Sequence, residues 1–354
     1  MADTAETLEV AGRAVRITNP DKLYFPAIGV TKLDLVRYWL AVAPGALVGS
    51  RDRPTLLKRH PEGVDGFFFY QKRVPVSRPD WIETVNVRFP SGRQAEFLAM
   101  RDEAHLAWVI NLGCLELHPW NVRTFDVEHP DELRFDLDPT PEFSWDDVRR
   151  TAMIVRETLH DFGLDAFPKT SGKRGIHVLM RIEPKWGFGD LRRAALALGR
   201  EVERRAPGLA TTSWWKEERR GVFVDYNQNA RDRTLASAYS VRPTPDGRVS
   251  TPLAWDEVPD VEAQDLTILT VPDRFKKVGD PGASIDKNPY PLEPLLELAD
   301  RQEAEGMPEA PWPPHFPKAD REPTRVQPSR AKKPVGKKPV AKKPAAKKPV
   351  KKKR

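Results

Sequence analysis

The sequence predicts an α+β fold in which a mostly antiparallel or mixed sheet carries the functional groups. Three observations support this prediction. Short apolar strands alternate with amphipathic helical segments through residues 1–300, no internal repeat occurs there, and several strands end in acidic residues or a histidine. The 354 residues suffice for one large domain or two ordinary ones.

Three segments have helical periodicity and six have the composition of strands. Residues 32–42 form the first predicted helix, with Thr31 as its N-cap, because apolar side chains recur at helical spacing after a threonine. Residues 146–162 and 190–205 are the other two predicted helices. The predicted strands are residues 55–59, 83–89, 115–118, 132–138, 175–182 and 221–226.

Composition and charge exclude several classes of protein. No apolar run approaches the roughly 20 residues of a membrane-spanning helix, and the N-terminus lacks the features of a signal peptide. The single Cys114 excludes an internal disulfide framework and a multi-cysteine zinc site. We therefore expect a cytoplasmic protein with no membrane partner.

The basic charge is concentrated at the C-terminus. Residues 329–354 contain 13 Lys and Arg and no acidic residue, so removing them from the net charge of +7 leaves −6 for residues 1–328. Regularly spaced prolines and like charges predict a disordered tail that binds a nucleic-acid backbone without sequence preference. A purely solubilising tail is the alternative. Residues 301–328 are predicted to be a proline-rich linker.

The strand at 132–138 carries a pair of carboxylates. Side chains alternate along a strand, so Asp136 and Asp138 share the face opposite Phe135. Two carboxylates this close repel each other unless a cation lies between them, and paired divalent ions suit phosphoryl displacement. An ordinary acidic pair at the exposed end of a strand is the alternative.

Two further segments add polar groups. The turn around Ser171, Lys173 and Arg174 contains two glycines, and such a turn lets backbone N–H groups converge on an anion, although an ordinary hairpin turn is the alternative. It lacks the spacing of a Walker A loop. Downstream, Asp225 closes an apolar strand, as His118 closes another. Three arginines that follow Asp225 are candidates for phosphate contacts: Arg231, Arg233 and Arg242.

This ordered set of motifs resembles the archaeo-eukaryotic primase superfamily. The set comprises the D-x-D strand, S-G-x-x-G-x-H from Ser171, V-F-V-D-Y-x-Q-N from Val222, and S-x-R ending at Arg242. The closest likeness is the polymerase domain of bacterial ligase D, which works in non-homologous end joining. The resemblance extends over about residues 19–298 and implies a primase-polymerase, RRM-like catalytic sheet flanked by helices, with an N-terminal α/β extension packed on it.

The resemblance also implies roles for individual residues. Asp136, Asp138 and Asp225 match the metal-binding catalytic carboxylates, which would hold two Mn²⁺ or Mg²⁺ ions. The residues that match contacts to the incoming nucleoside triphosphate (NTP or dNTP) are His118, Ser171, Arg174, His177 and Arg242. A further basic residue before the third carboxylate could be Lys216, Arg219 or Arg220, and Arg219 is favoured.

The N-terminal part matches DNA-binding positions of the family. Asn19, Lys22 and Lys32 resemble a pocket for the 5′-phosphate of a downstream strand, and Lys58 is expected on the same binding surface. The pair Phe69-Tyr70 falls where the family stacks on template bases, and tyrosine keeps an aromatic face for stacking. Residues 1–300 are thus expected to form the catalytic domain, with residues 1–110 binding DNA and residues 111–300 forming the catalytic sheet.

The resemblance predicts a template-dependent polymerase that adds nucleotides to primer 3′ ends at gaps or double-strand breaks during DNA repair. No K-x-D-G adenylation motif occurs in the sequence, so we expect no ligase activity and expect Ku and a separate DNA ligase as partners. Two alternatives are a non-catalytic DNA-end binding or synapsis factor, and a metal-dependent phosphoesterase or nuclease. The Ser171–His177 turn disfavours a hydrolase, which needs no triphosphate pocket.

Overall fold

The computed structural model describes residues 5–89, 91–307, 309–313 and 316. The predicted basic tail at 329–354 and most of the predicted linker at 301–328 lie outside these residues. Within them the chain forms fourteen strands and seven α-helices. The predicted α+β fold is confirmed.

The N-terminal region begins with two small hairpins. The first pairs β1 (Ala5–Val10) with β2 (Arg13–Thr18), and the second pairs β3 (Leu23–Phe25) with β4 (Val30–Thr31). Helix α1 (Lys32–Ala41) follows directly and is succeeded by α2 (Ala43–Val48). The predicted N-cap is confirmed: Thr31 accepts from the backbone N–H of Asp34, and the Asp34 carboxylate accepts from that of Thr31, which completes a capping box.

One five-stranded sheet is built around strand β5 (Pro54–Arg59), which pairs antiparallel with β6, β8 and β9. Helix α3 (Glu103–Asn111) connects β8 to β9. The other strands of this sheet are β6 (Phe69–Gln71), β7 (Thr84–Arg88), β8 (Gln94–Ala99) and β9 (Cys114–Pro119).

A five-stranded sheet with the order β11-β12-β10-β14-β13 carries the predicted carboxylates. All its pairings are antiparallel except that of β13 with β14. Helices α4 (Trp145–Asp161) and α5 (Phe188–Arg205) pack against it. Its strands are β10 (Glu132–Pro139), β11 (Phe167–Thr170), β12 (Ile176–Arg181), β13 (Ala210–Thr211) and β14 (Val222–Asp225).

The C-terminal part of the described chain adds α6 (Val271–Val278) and α7 (Glu293–Ala304). Helix α7 packs along α5 and ends four residues beyond position 300, where the catalytic domain was expected to end. The Gln302 side chain, buried in this last turn, donates to the backbone carbonyl of Ala197 in α5. The end of α7 is therefore attached through α5 to the five-stranded sheet that contains β10.

A single apolar core joins the N-terminal region to the five-stranded sheet. Trp39 of α1, Leu57 of β5 and Phe135 of β10 belong to the same buried cluster. The Tyr38 hydroxyl also donates to the backbone carbonyl of Tyr239 over 2.9 Å in the protein interior. Burial of this apolar surface is the main force that holds the N-terminal region on the sheet that contains β10.

Candidate active site

Four polar side chains form one row across the five-stranded sheet. Asp136 of β10 lies opposite His177 of β12 on one side and opposite Asp225 of β14 on the other, and Lys169 of β11 lies opposite His177. Directly paired residues of antiparallel strands project from the same face. Asp138, two residues beyond Asp136, shares that face. The strand register therefore brings Asp225 next to Asp136 and Asp138, whereas alternation along the sequence placed only Asp136 and Asp138 on one face.

The protein environment disfavours the ionised form of these carboxylates. Burial raises the pKa of Asp136 to about 6, although Lys169 and Arg242 oppose the shift. The pKa of Asp138 is raised by burial and by the neighbouring Asp136 charge, and that of Asp225 is raised for the same two reasons. All three neighbouring carboxyl groups have raised pKa values, so a bound cation would stabilise their ionised forms.

The donor set suits a hard divalent cation, but no cage is preformed. Within the described part of the chain, no group of three or more His, Cys, Asp or Glu side chains is arranged to hold a metal. The Asp225 carboxylate instead accepts hydrogen bonds from Gln228 Nε2 at 2.7 Å and from the backbone N–H of Asn227 at 2.9 Å. Carboxylate oxygens at a sheet end, with raised pKa values, are ligands that Mg²⁺ or Mn²⁺ would accept.

The turn after β11 is held by its first residue. The Ser171 backbone N–H donates to the carbonyl of Gly175 over 2.8 Å, and Ser171 Oγ accepts from the N–H groups of Lys173 and Gly175. Gly172 has φ +71°, and a Cβ there would lie 2.4 Å from Cγ of Arg242. Glycine thus lets Arg242 approach the turn closely.

Replacing Gly172 with alanine should displace Arg242 from the turn. The left-handed backbone and the clash both oppose a side chain at this position. We expect about 1–3 kcal/mol lower stability in urea unfolding and weaker nucleotide binding in fluorescence titrations. Gly163→Ala is the matched control, since Gly163 has the same φ of +71° and open space around its missing Cβ. Equal loss of nucleotide binding in both variants would contradict the specific role of the turn.

A cleft of about 450 Å³ adjoins the carboxylate row. Its walls include two of the three predicted carboxylates and four of the predicted nucleotide contacts, which are Ser171, Arg174, His177 and Arg242. Lys173 and Arg248 add two more cations. Arg248 was not predicted, because it follows a turn with no recognisable motif. Cations facing carboxylates across a cleft of this size create a site for a polyanion accompanied by metal ions.

Glu116 ties several predicted residues together and was itself missed. Its buried carboxylate lies 2.6 Å from Lys58 Nζ, 2.6 Å from Arg242 Nη1 and 3.2 Å from His118 Nε2. The hydrogen bond from His118 and the charges of Arg242 and Lys58 hold the pKa of Glu116 well below its usual range despite burial. The only feature of the sequence that could have indicated Glu116 is its position two residues before His118 in the same strand. Arg242 lines the cleft and shares Glu116 with His118, so His118 lies beside the cleft.

The aromatic strand β6 has two faces. Phe68 and Tyr70 lie together on the side of Lys58, whose Nζ lies 4.9 and 5.9 Å from their ring centroids. Tyr70 also meets His118 edge-on at 5.7 Å. Phe69 instead stacks on Phe67, with ring centroids 6.0 Å apart. The predicted pair Phe69-Tyr70 is therefore divided by strand alternation, and Phe68 shares the face of Tyr70.

Backbone hydrogen bonds link the three predicted N-terminal residues. The Lys22 N–H donates to the carbonyl of Asn19, and the Lys32 N–H donates to that of Lys22. The Lys22 side chain is exposed and reaches the carbonyl of Pro61, whereas buried Lys32 Nζ donates to Thr18 O at 2.7 Å. Lys58, which was expected on the same surface, lies in the Glu116 cluster.

The remaining arginine candidates differ in position. Arg219 is half-buried over the ring of Phe223. Burial lowers the pKa of Arg219, and the nearby charge of Asp225 opposes this shift. The two competing residues, Lys216 and Arg220, are exposed. Arg231 forms an ion pair with Glu128.

Comparison with known proteins agrees with this geometry. The profile of the LigD primase-polymerase domain family matches residues 31–282. The chain belongs to this family. The polymerase domain of Mycobacterium tuberculosis ligase D in complex with DNA superposes with a TM-score of 0.73, at 30% identity, over 78% of this chain and 99% of that domain.

Curated relatives in this family are longer proteins. The chain is 31% identical to the multifunctional non-homologous end joining protein LigD of Mycolicibacterium smegmatis, over 86% of this chain and 40% of the relative. It is 30% identical to the bifunctional LigD protein of Bacillus subtilis, over 80% of this chain and 46% of that protein. The chain therefore spans less than half the length of these relatives. No helix among the described residues is long and apolar enough to cross a membrane.

Proposed function

We propose that this protein is a template-dependent nucleotidyltransferase that extends primer 3′ ends at short gaps or broken DNA ends. The observation that carries the proposal is the cleft in which the carboxylates Asp136 and Asp138 face the basic turn at Ser171–Gly175. The family match and the solved relative in complex with DNA support it. Ku and a separate DNA ligase are proposed partners.

Different residues of the cleft would hold different parts of the reactants. Asp136, Asp138 and Asp225 would bind two divalent ions, which supply charge neutralisation and activation of the primer 3′-hydroxyl when present. Arg174 lies beside Asp138 and is exposed to solvent, with guanidinium contacts to the carbonyls of Pro139 and Thr140. It can therefore turn to the β- and γ-phosphates without breaking an ion pair.

Arg242 is held more rigidly than Arg174. Its guanidinium pairs with Glu116 and its Cγ lies against Gly172, so this side chain is placed before any nucleotide enters. A donor that needs no reorganisation stabilises the negative charge that develops on the phosphates more effectively than a flexible one. Arg242 is thus the proposed fixed contact and Arg174 the adjustable one.

Primer extension on a gapped duplex with a downstream 5′-phosphate tests the proposal. We expect template-directed addition with NTP or dNTP in the presence of Mn²⁺ or Mg²⁺, and comparison of the four combinations identifies the preferred substrate and ion. The same duplex without the 5′-phosphate reports on Lys22 and the surrounding loop. Binding of the duplex without extension under every condition would favour a non-catalytic end-binding factor, and degradation of the primer would favour a nuclease.

The two faces of β6 give a separate prediction for template binding. Tyr70→Ala should weaken binding of a single-stranded template overhang about tenfold, since an aromatic–base stack contributes roughly 1–3 kcal/mol. Tyr70 faces Lys58 and His118, next to the cleft. Fluorescence anisotropy with labelled overhang DNA measures the effect. Phe67→Ala is the matched control from the opposite face, and it should bind nearly as wild type although Phe67 is 69% exposed.

A further inference from the structure

Lys169 is a buried lysine that points along the carboxylate row. Its side chain is almost inaccessible, with 3% of the residue exposed. Its Nζ lies 2.6 Å from His177 Nδ1, 2.8 Å from the carbonyl of Ala236 and 2.6 Å from Ser250 Oγ. Nothing in the proposed function so far requires a lysine at this position.

Two of the three partners of Lys169 are oxygen atoms that accept. The carbonyl of Ala236 has no hydrogen to give, and the Ser250 hydroxyl donates its own hydrogen to the carbonyl of Thr170 over 2.7 Å. Lys169 must therefore donate to both oxygen atoms. An ammonium group has a third hydrogen left for His177 Nδ1, whereas a neutral amine would have only a lone pair left.

The charges around the row favour the ammonium form once substrate is bound. Burial and the charge of Arg242 lower the pKa of Lys169 well below its ordinary value, and the charge of Asp136 opposes this. Two divalent ions and a fully ionised triphosphate cancel each other's charge, so the three carboxylates remain to balance a cation. An ammonium group that donates to Nδ1 leaves no place for a second hydrogen on the ring, so the imidazole of His177 is then neutral.

We propose that Lys169 is a positioning residue that holds His177 in the tautomer with hydrogen on Nε2. When the Lys169 ammonium group donates its third hydrogen across the 2.6 Å to Nδ1, the single hydrogen of the neutral ring resides on Nε2. Nε2 lies 3.4 Å from Oδ1 of Asp136, which is too long for a strong hydrogen bond. The N–H is then directed into the cleft beside the carboxylates as a donor for a phosphate oxygen.

This inference rests on the proposed function only in its last step, the contact with phosphate. The opposite tautomer would present a lone pair at Nε2, which repels both the Asp136 carboxylate and a phosphate oxygen. A positioning group that fixes the orientation and tautomer of a histidine is a common outer partner of polar sites, and its loss typically reduces affinity or activity roughly ten- to a hundredfold.

Nitrogen-15 NMR of the folded wild-type protein tests the tautomer directly. The chain has seven histidines, and comparison with His177→Gln identifies the His177 signals. We expect an unprotonated Nδ1 and a protonated Nε2 at neutral pH when a non-hydrolysable NTP and Mg²⁺ are bound. A protonated Nδ1 in the NTP-bound protein would overturn the proposal. This readout does not depend on polymerase activity, so it remains decisive if primer extension fails.

Lys169→Met tests the role of the lysine, because methionine has a similar length and no donor. We expect a mixture of tautomers or the Nδ1–H form, with roughly ten- to a hundredfold weaker NTP binding and unchanged DNA affinity. Lys185→Met, which removes an exposed lysine paired with Glu183, is the matched control and should behave as wild type. An unaltered Nε2–H signal in Lys169→Met would refute the proposal. If that variant does not fold, the wild-type tautomer decides alone.

Discussion

Asp136→Asn should reduce nucleotide addition by roughly a thousandfold or more while leaving the affinity for gapped DNA nearly unchanged. Asp136 lies at the centre of the carboxylate row, opposite both His177 and Asp225. Asparagine keeps the size of the side chain but removes the charge that would hold a metal ion. Primer extension and anisotropy on the same gapped duplex measure the two effects.

The same variant has a predicted stability signature. The folded-state pKa of Asp136 is about 6 against an ordinary 3.8, so the folded protein binds this proton more tightly than the unfolded chain does. The contribution of Asp136 to the stability of the metal-free protein should therefore fall as pH rises from 3.8 to about 6 and stay low above it. Asparagine avoids this loss, so Asp136→Asn should be more stable than wild type at pH 8, by about 1–2 kcal/mol.

Metal ions provide the control for that signature. A divalent ion binds the ionised carboxylates, so Mn²⁺ should raise the melting temperature of wild type at pH 8 and much less at pH 5. Asp136→Asn should lose most of this response. Extension at wild-type rates, or an equal Mn²⁺ response in both proteins, would show that Asp136 is not a metal ligand.

Glu116→Gln should destabilise the protein by about 2–4 kcal/mol and also raise KM for the nucleotide. The neutral amide would leave Lys58 and Arg242 without their shared buried counter-charge. Arg242 would then lose its fixed position against the turn at Gly172. Urea unfolding measures the first effect, and steady-state kinetics with NTP as the varied substrate measures the second.

An exposed glutamate supplies the matched comparison. Glu128 pairs with Arg231, and its side chain is 60% exposed. Glu128→Gln should change stability by less than about 1 kcal/mol, because water replaces the lost pair, and it should leave KM unchanged. If the two variants were equally stable, the Glu116 cluster would not be a structural and functional centre of the site.

The sequence predicted the elements with strong periodicity. The capping threonine and apolar spacing located α1, and the strand that carries Asp136 and Asp138 was found to within one residue at its end. Short or weakly patterned elements were missed, including the hairpin β1–β2, strand β6 and helices α3 and α7. Their stability comes from tertiary contacts, which local periodicity does not report.

The site was predictable as a list of residues but not as a network. Ser171, His177 and Arg242 lie around one cleft as the family resemblance implied. Glu116 was missed because its partners Lys58 and Arg242 come from distant segments, and Lys169 was missed because it precedes the motif that begins at Ser171 without belonging to it. The pairing of Phe68 with Tyr70 was also missed, since a run of aromatic residues does not show where strand β6 begins.

The row that runs from Lys169 to Asp225 crosses four hydrogen-bonded strands. Each of its members is spaced by the backbone ladder itself, so no single loop can carry one of them away from the others. Amide hydrogens along these strands should therefore exchange with solvent only through the larger opening events of the molecule. Thermal inactivation would then coincide with cooperative melting of the sheet, and the catalytic geometry would persist for as long as the fold does.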